Sequence, residues 1–325
     1  LSNHGPLAAE ALVELGHENR VIEFAKLYNR VYPAPYPKKK EQVLDVNSME
    51  AIGARDRIAD WVEYFRDKIE KDGWKVVVRE WVPVLAPGIA AAAAHGIIRT
   101  GHAIRSLERK ENKTRLYELA EGLGYWASYF QKLPENKDTI ETQWPAADAA
   151  RLVPMIDQEM VSHTRSISRK IKVVAGWEEF GDVINTFDIS RKPEELISDL
   201  TETFAAIYAK HVNNGNYVSL IHSVTGTAML RSIIPYLADG DKKRLIKYAW
   251  QMAAAIFTAS GNKTVNDIPK YTELKEKELI KRAVESNEVH AIKFTEACLR
   301  EYKIDSKPIF LIAVDDALGR LGTVS

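Results

Sequence analysis

Residues 91–107 read AAAAHGIIRTGHAIRSL, and this stretch indicates the fold class of the whole chain. Its apolar residues recur at the spacing of one helical face, without the alternation typical of a strand. His95 and His102 lie seven residues apart, which places them about 20° apart around a helix. The rest of that helical face is small and apolar: Ala91, Ala94, Ile98 and Gly101. Two ionisable rings on an apolar face require polar partners or a ligand.

Helical periodicity continues through nearly all of the chain. Only WKVVVREWV, residues 74–82, has the β-branched run typical of a strand, and residues 166–189 are less regular. Connections rich in proline and charge at 33–42 and 134–138 are too short to separate domains. The sequence therefore predicts an all-α fold, with residues 1–325 in a single multi-helix domain. The predicted helices span 6–32, 50–71, 88–109, 113–132, 145–162, 193–210, 214–236, 241–259, 271–302 and 307–320.

Composition narrows the classes of function. The 325 residues are 46% hydrophobic, which is ample for a sizeable core. Lys+Arg and Asp+Glu number 45 each, so no net field favours nucleic acid or an anionic membrane. A single cysteine, Cys298, excludes an internal disulfide and a cysteine zinc cluster. The most apolar early stretch, residues 82–98, carries two prolines and His95, which disfavours a membrane span. We expect a cytoplasmic protein with neither a nucleic acid nor a membrane as partner.

Two motifs match common sites by their letters alone. GLGYWA, residues 122–127, resembles a dinucleotide fingerprint but lies in a helical run with no strand before it, so helix packing is the better interpretation. Glu14 and His17 form one Glu-x-x-His pair, whereas a di-iron bundle needs two such pairs. Neither motif therefore predicts a site.

The remaining histidines divide into two groups. His4 lies between Asn3 and a Gly-Pro pair, where Ser2 or Asn3 can cap the helix and leave the ring without a structural task. His222 is embedded in the apolar helix NYVSLIHSVTGTAMLRSIIP, either as a core histidine bonded to a carbonyl or as a ligand. The other three lie in charged or polar surroundings and are expected at the surface: His17, His163 and His211.

His290 and Lys293 lie three residues apart in VHAIKFTEACLREY, about 60° apart on a helix. Lys293 lies beside an apolar stripe. On spacing alone it is either a lysine extending from the edge of the core to solvent or a buried functional group.

Four stretches, in this order, resemble the questin oxidase family: SNHGPLAAEAL, HGIIRTGHAIRSL, LIHSVTGTAMLR and HAIKFTEACLREY. Members of that family are helical oxidoreductases of fungal polyketide pathways in which an anthraquinone ring is opened oxidatively. Some are described as NADPH-dependent Baeyer–Villiger-type enzymes, and others are similar to non-heme iron dioxygenases whose iron is held by histidines and a carboxylated lysine.

The resemblance implies a metal site between helices that carries out an oxidation. It implies Fe(2+) as cofactor, O2 and a small aromatic or polyketide substrate as reactants, and NADPH as a reductant on the resemblance alone. Lys293 would be the carboxylated lysine, and His290 a catalytic residue acting as a neighbouring partner or proton relay. The implied metal ligands are His4, His95, His102, His222 and Lys293.

Two other classes of protein are also compatible with the sequence. The chain could be a non-catalytic helical protein that binds a hydrophobic small molecule or a partner, or a hydrolase with zinc in the same histidine cage. Four aromatic residues could wall a pocket for a planar ring, although at helical spacing such residues are more often core. They are Tyr117, Trp126, Tyr129 and Phe130.

Overall fold

The computed structural model describes residues 3–33, 51–136, 142–261, 265–268 and 275–322. Within these ranges the chain forms α-helices joined by short 3-10 turns and no β-strand, so the all-α prediction is confirmed. The α-helices are α1 (Gly5–Glu14), α2 (Val21–Val31), α3 (Ile58–Asp72), α4 (Trp74–Leu85), α5 (His95–Arg109), α6 (Lys113–Ser128), α7 (Ala146–Ala149), α8 (Gln158–Ser162), α9 (Ile167–Ala175), α10 (Val183–Thr186), α11 (Pro193–His211), α12 (Tyr217–Ala228), α13 (Leu230–Ile233), α14 (Asp239–Ser260), α15 (Glu276–Ser286), α16 (Val289–Ile304) and α17 (Pro308–Leu321).

The strand character of residues 74–82 is not realised, because these residues lie in α4. The intrinsic preference of β-branched residues for strands is weak, and packing overrides it. The buried residues of α4 recur every three or four positions, which is the stripe of a helix against a core. They are Trp74, Val77, Val78, Trp81, Val82 and Leu85.

Several predicted helices are interrupted where the backbone turns. The segment 6–32 breaks at Gly16, whose φ is +80°, and 271–302 breaks at Asn287, whose φ is +52°. The predicted helices 145–162 and 214–236 are likewise divided into shorter pieces. Residues 271–274, and most of the predicted connection at 33–42, lie outside the described residues.

The helix predicted from residue 88 begins only at His95. Ala92, Ala93 and Ala94 have φ values of 47°, 60° and 66°, in the left-handed region that L-residues other than glycine seldom adopt. Each such residue costs about 1–2 kcal/mol. Strain of this kind persists only where the surroundings enforce it, and here the turn places His95 at the first residue of α5.

A large apolar core extends from α1 to α17, with a smaller cluster between α1, α2, α15 and α16, and the described residues form a single helical domain. Trp61, Trp126 and Trp250 are its largest fully buried side chains. Helix α12 lies deep in this core, with residues 219–228 all buried. Helix α1 packs on α5 and α16, and α12 contacts the same two helices. None of the described helices is both long enough and apolar enough to span a membrane.

The helix-packing interpretation of GLGYWA is confirmed. Its glycines lie inside α6, where a Cβ on Gly122 would be 3.0 Å from the Thr100 backbone nitrogen. A Cβ on Gly124 would be 2.9 Å from the Val62 backbone nitrogen. The two glycines let α6 approach α5 and α3 closely.

Gly96 on α5 also lets this helix lie close to α6. An added Cβ would lie 2.7 Å from the Trp126 Cβ and 2.9 Å from its Cα, and a backbone atom cannot swing aside. We expect Gly96→Ala to lower the free energy of unfolding by about 1–3 kcal/mol in urea titrations. The control is Gly240→Ala in α14, where nothing lies within 4 Å of the added Cβ. That variant should be neutral or up to about 1 kcal/mol more stable, and equal behaviour of the two variants would contradict the prediction.

Candidate functional site

Four imidazole rings meet where α1, α5, α12 and α16 converge. The ring centroids are 4.6 Å apart for His4 and His95, 4.7 Å for His95 and His222, 5.3 Å for His222 and His290, and 4.8 Å for His290 and His4. Each ring therefore contacts two others. Lys293 completes the group, since its Nζ lies 2.8 Å from the Nδ1 of His4. We call these five residues the histidine cluster.

His4 is positioned by the turn that starts α1. His4 itself occupies the N-cap position without a side-chain cap bond, while the Asn3 side chain accepts a hydrogen bond from the Gly5 N–H at 3.1 Å; Ser2 lies outside the described residues. The backbone N–H of His4 donates to the Tyr28 hydroxyl at 2.8 Å. Tyr28 on α2 thereby fixes the segment that carries the ring, a contact that the sequence did not reveal.

His95 and His222 are held in one tautomer by backbone carbonyls. The Nδ1 of His95 lies 2.5 Å from the Ala92 oxygen, and that of His222 lies 2.6 Å from the Val218 oxygen. A carbonyl only accepts, so each Nδ1 carries the proton and each Nε2 of a neutral ring presents a lone pair. These two Nε2 atoms lie 3.3 Å apart. Two buried lone pairs at that distance repel each other unless a cation lies between them.

The rings are neutral at pH 7. Burial is the largest cause in every case and lowers the pKa of His95 to about 3. It also lowers the pKa values of His4, His222 and His290, with nearby cationic groups adding to the effect. Neutral imidazole is the form that binds metal ions. The cluster thus offers unprotonated nitrogen donors without prior loss of a proton.

His290 is oriented by a carboxylate. Its Nδ1 lies 2.9 Å from Glu288 Oε1, while the other Glu288 oxygen accepts the Ala291 N–H at 2.7 Å and caps α16. A histidine that donates one ring N–H to a carboxylate and presents the other nitrogen is typical of metal ligands. The sequence assigned His290 a neighbouring role, and the structure brings it into the cluster itself.

Lys293 is only 3% exposed, so the alternative of a lysine reaching solvent is wrong. Burial lowers the pKa of its amine to about 8. A substantial fraction of the side chain is therefore neutral near physiological pH, where an ordinary lysine is almost entirely protonated.

His102 lies outside the cluster. It takes part in none of the ring contacts among the described residues, and its Nδ1 lies 2.6 Å from Glu10 Oε2. Arg105 links that carboxylate to Glu296 in a buried ionic network. Two helical turns, about 10.5 Å, separate His102 from His95 along α5. Its buried Nε2 has no hydrogen-bond partner, and its implied role as a ligand stays a prediction.

The cluster is not arranged around a preformed metal position. In the described part of the chain, no group of three or more His, Cys, Asp or Glu side chains is placed to hold an ion as it stands. Instead the nitrogens face one another, with His4 Nε2 3.0 Å from His95 Nε2. Neighbouring donors on one ion, at bonds of about 2.1 Å, lie about 3.0–3.4 Å apart. The spacing fits adjacent ligands, and small ring rotations are needed to direct them at a common point.

A family model described as questin oxidase-like matches residues 1–298, a span that contains the whole histidine cluster. No curated protein sequence matches the chain. The family match confirms the resemblance that the four ordered motifs indicated. The chain belongs to the questin oxidase-like family, which makes it an oxidoreductase.

Proposed function

We propose that this protein binds one Fe(2+) ion at the histidine cluster and uses O2 to oxidise a phenolic or quinone-type substrate, with ring cleavage of an anthraquinone-like molecule as the reaction. The observation that carries the proposal is the pair of unprotonated Nε2 atoms of His95 and His222, 3.3 Å apart in the core. Placing an ion between them converts a repulsion into two bonds. Family membership supplies the broader class, an oxidoreductase.

The donor set suits iron. Imidazole binds Fe(2+) well but leaves its positive charge undiminished. A carbamate on Lys293 would supply an anionic oxygen donor. Burial lowers the pKa of Lys293 to about 8, so a much larger share of its amine is neutral at pH 7 than for an ordinary lysine. Bound there with one open position, Fe(2+) would supply O2 activation beside an electron-rich ring.

The protein's own residues hold this arrangement in place. The carbonyls of Ala92 and Val218 fix the tautomers of His95 and His222, and Glu288 fixes that of His290. We assign His290 as the fourth imidazole of the site in place of His102. A ring that binds iron through Nε2 and donates its Nδ1–H to Glu288 has no free nitrogen to relay a proton, so this assignment replaces the relay role.

The test is metal content followed by oxygen uptake. Protein reconstituted anaerobically with Fe(2+) should hold about one iron per chain. It should consume O2 with a reduced hydroxyanthraquinone, after subtraction of the uptake by His222→Ala, and incorporate 18O from 18O2 into the product. The same assay with and without NADPH tests the predicted need for a reductant. Oxygen uptake with neither iron nor NADPH present would contradict the proposal, and so would the absence of oxygen uptake at full iron occupancy. Product formation with zinc in place of iron, without oxygen uptake, would indicate the hydrolase.

The assignment of His290 over His102 has a direct test. We expect His290→Ala to lose most of its bound iron, since the ring belongs to the cluster. We expect His102→Gln to keep its iron and lose about 3 kcal/mol of unfolding free energy, because Glu10 loses part of its buried pairing. Iron analysis and urea unfolding of both variants decide the matter. Iron loss in His102→Gln with retention in His290→Ala would restore the ligand set that the sequence implied.

A further inference from the structure

Two grooves lie side by side on the surface and share Phe130 as a wall. The first, of about 610 Å³, is lined by Arg55 and Lys172 together with Tyr129 and Phe130. The second, of about 470 Å³, is lined by Lys132 and Arg244 and by apolar side chains such as Val84. Both volumes lie in the range of small-molecule sites.

The grooves are cationic. No carboxylate is among the described residues that line them, although the chain as a whole has equal numbers of acidic and basic residues. Arg55 and Lys172 contribute the positive charge of the first groove, and Lys132 and Arg244 that of the second. A local excess of one sign in a neutral protein favours an anionic ligand.

The wall of the first groove is aromatic and fixed. The Arg55 guanidinium lies 5.0 Å from the centroid of the Tyr129 ring. The Phe130 ring lies directly against Gly88, so closely that a Cβ added there would overlap it. Of the four aromatic residues that the sequence suggested as pocket walls, Tyr129 and Phe130 line this groove. Trp126 is core, and Tyr117 lies beneath Arg66.

The groove is connected to the histidine cluster through two stacked rings. Tyr129 stacks on Tyr125, with centroids 4.5 Å apart and planes 25° from parallel. Tyr125 in turn lines a small cavity together with His95 and Arg99. That cavity, of about 10 Å³, is too small for a substrate.

We propose that the groove between Arg55 and Lys172 binds an aromatic carboxylic acid, with its ring against Phe130, beside the face of Tyr129 that Arg55 covers, and its carboxylate paired with the two cations. This inference rests on the proposed function and adds that the substrate carries an acidic group. An anion without a ring would leave Tyr129 and Phe130 unused, and a neutral ring would leave the cations unpaired. A guanidinium beside an aromatic ring suits a planar acid, because it can pair with the carboxylate while the ring stacks.

Calorimetric titration with two matched probes tests the inference. The probes are anthraquinone-2-carboxylate and the neutral 2-(hydroxymethyl)anthraquinone, titrated into the iron-loaded protein and into His222→Ala. We expect the acid to bind about tenfold more tightly than the alcohol at low salt, and the advantage to shrink as salt rises. Binding by His222→Ala should match wild type, so failure of the metal site and failure of the groove are distinguishable.

Variants locate the binding. In Arg55→Gln/Lys172→Gln the preference for the acid should fall to about one, and in Phe130→Leu both probes should bind severalfold more weakly. The matched control is Arg66→Gln, since Arg66 also lies over a tyrosine, 4.7 Å from the Tyr117 centroid, outside the grooves. Equal affinity of the two probes for wild type, or an unchanged preference in the double variant, would overturn the proposal. Full competition by equimolar inorganic phosphate would also overturn it, since the site would then be a simple anion site.

Discussion

Replacing His222 with alanine is expected to weaken iron binding at least about a hundredfold. The ring is 2% exposed, its Nδ1 is tied to Val218, and its Nε2 faces that of His95. Nothing on the apolar face of α12 can replace that nitrogen. The same loss is expected for His95→Ala, whose ring supplies the other half of the pair. Iron per chain after anaerobic reconstitution and desalting measures both.

The fold should survive these changes. Deleting a buried ring costs about 2–4 kcal/mol through the cavity it leaves, so circular dichroism should show native helix content in the metal-free variants. His163→Ala is the control, because His163 is exposed at the end of α8 and should leave the iron content unchanged. If His95→Ala and His222→Ala both retained a full complement of iron, the metal would have to lie elsewhere.

Lys293→Ala is expected to abolish oxygen uptake and to reduce iron occupancy. An ammonium buried beside a dication would be repelled, so Lys293 must be neutral or carbamylated when the metal is bound. If the carbamate is a ligand, acetate or propionate should restore part of the activity by entering the vacated space. Full occupancy and full oxygen uptake in Lys293→Ala would exclude a role for the carbamate.

The pH dependence of reconstitution follows from the same residue. Burial lowers the pKa of Lys293 to about 8, so the neutral amine that captures CO2 increases as pH rises through 8. In bicarbonate buffer the active fraction of wild type should therefore rise between pH 7 and pH 9. Removing CO2 from the buffers should lower it at each pH. An active fraction independent of both CO2 and pH would contradict carbamate formation.

The sequence was sufficient for the fold class and for most of the cluster, for a physical reason. Helical periodicity reflects burial, and burial decides α4 even though its β-branched residues favour a strand. His95 and His222 could be singled out because a histidine on an apolar stripe must find a buried partner, and His4 because its ring had no structural task in the turn before α1. Helix ends depend on single backbone torsions, such as those at Gly16 and Asn287, which periodicity does not encode.

The choice between His102 and His290 could not be made from sequence. Both rings lie on buried helical faces next to a cluster member in sequence, and the distinction depends on how α1 and α16 pack against α5. In the structure the Glu10 carboxylate of α1 pairs with His102, while Glu288, the cap of α16, orients His290 toward His4. The Glu288-x-His290 spacing at a helix start was the one local signal that could have identified it.

The left-handed turn at Ala92, Ala93 and Ala94 limits how the thermostability of this protein can be increased without loss of activity. Glycine at these positions would relieve strain, with a gain of up to about 1 kcal/mol each after the entropy of the unfolded chain is counted. The same turn presents the carbonyl that fixes His95. Selection for thermostability alone would therefore favour glycine in the segment whose rigidity orients His95. At these three positions a gain in stability would come with a loss of activity.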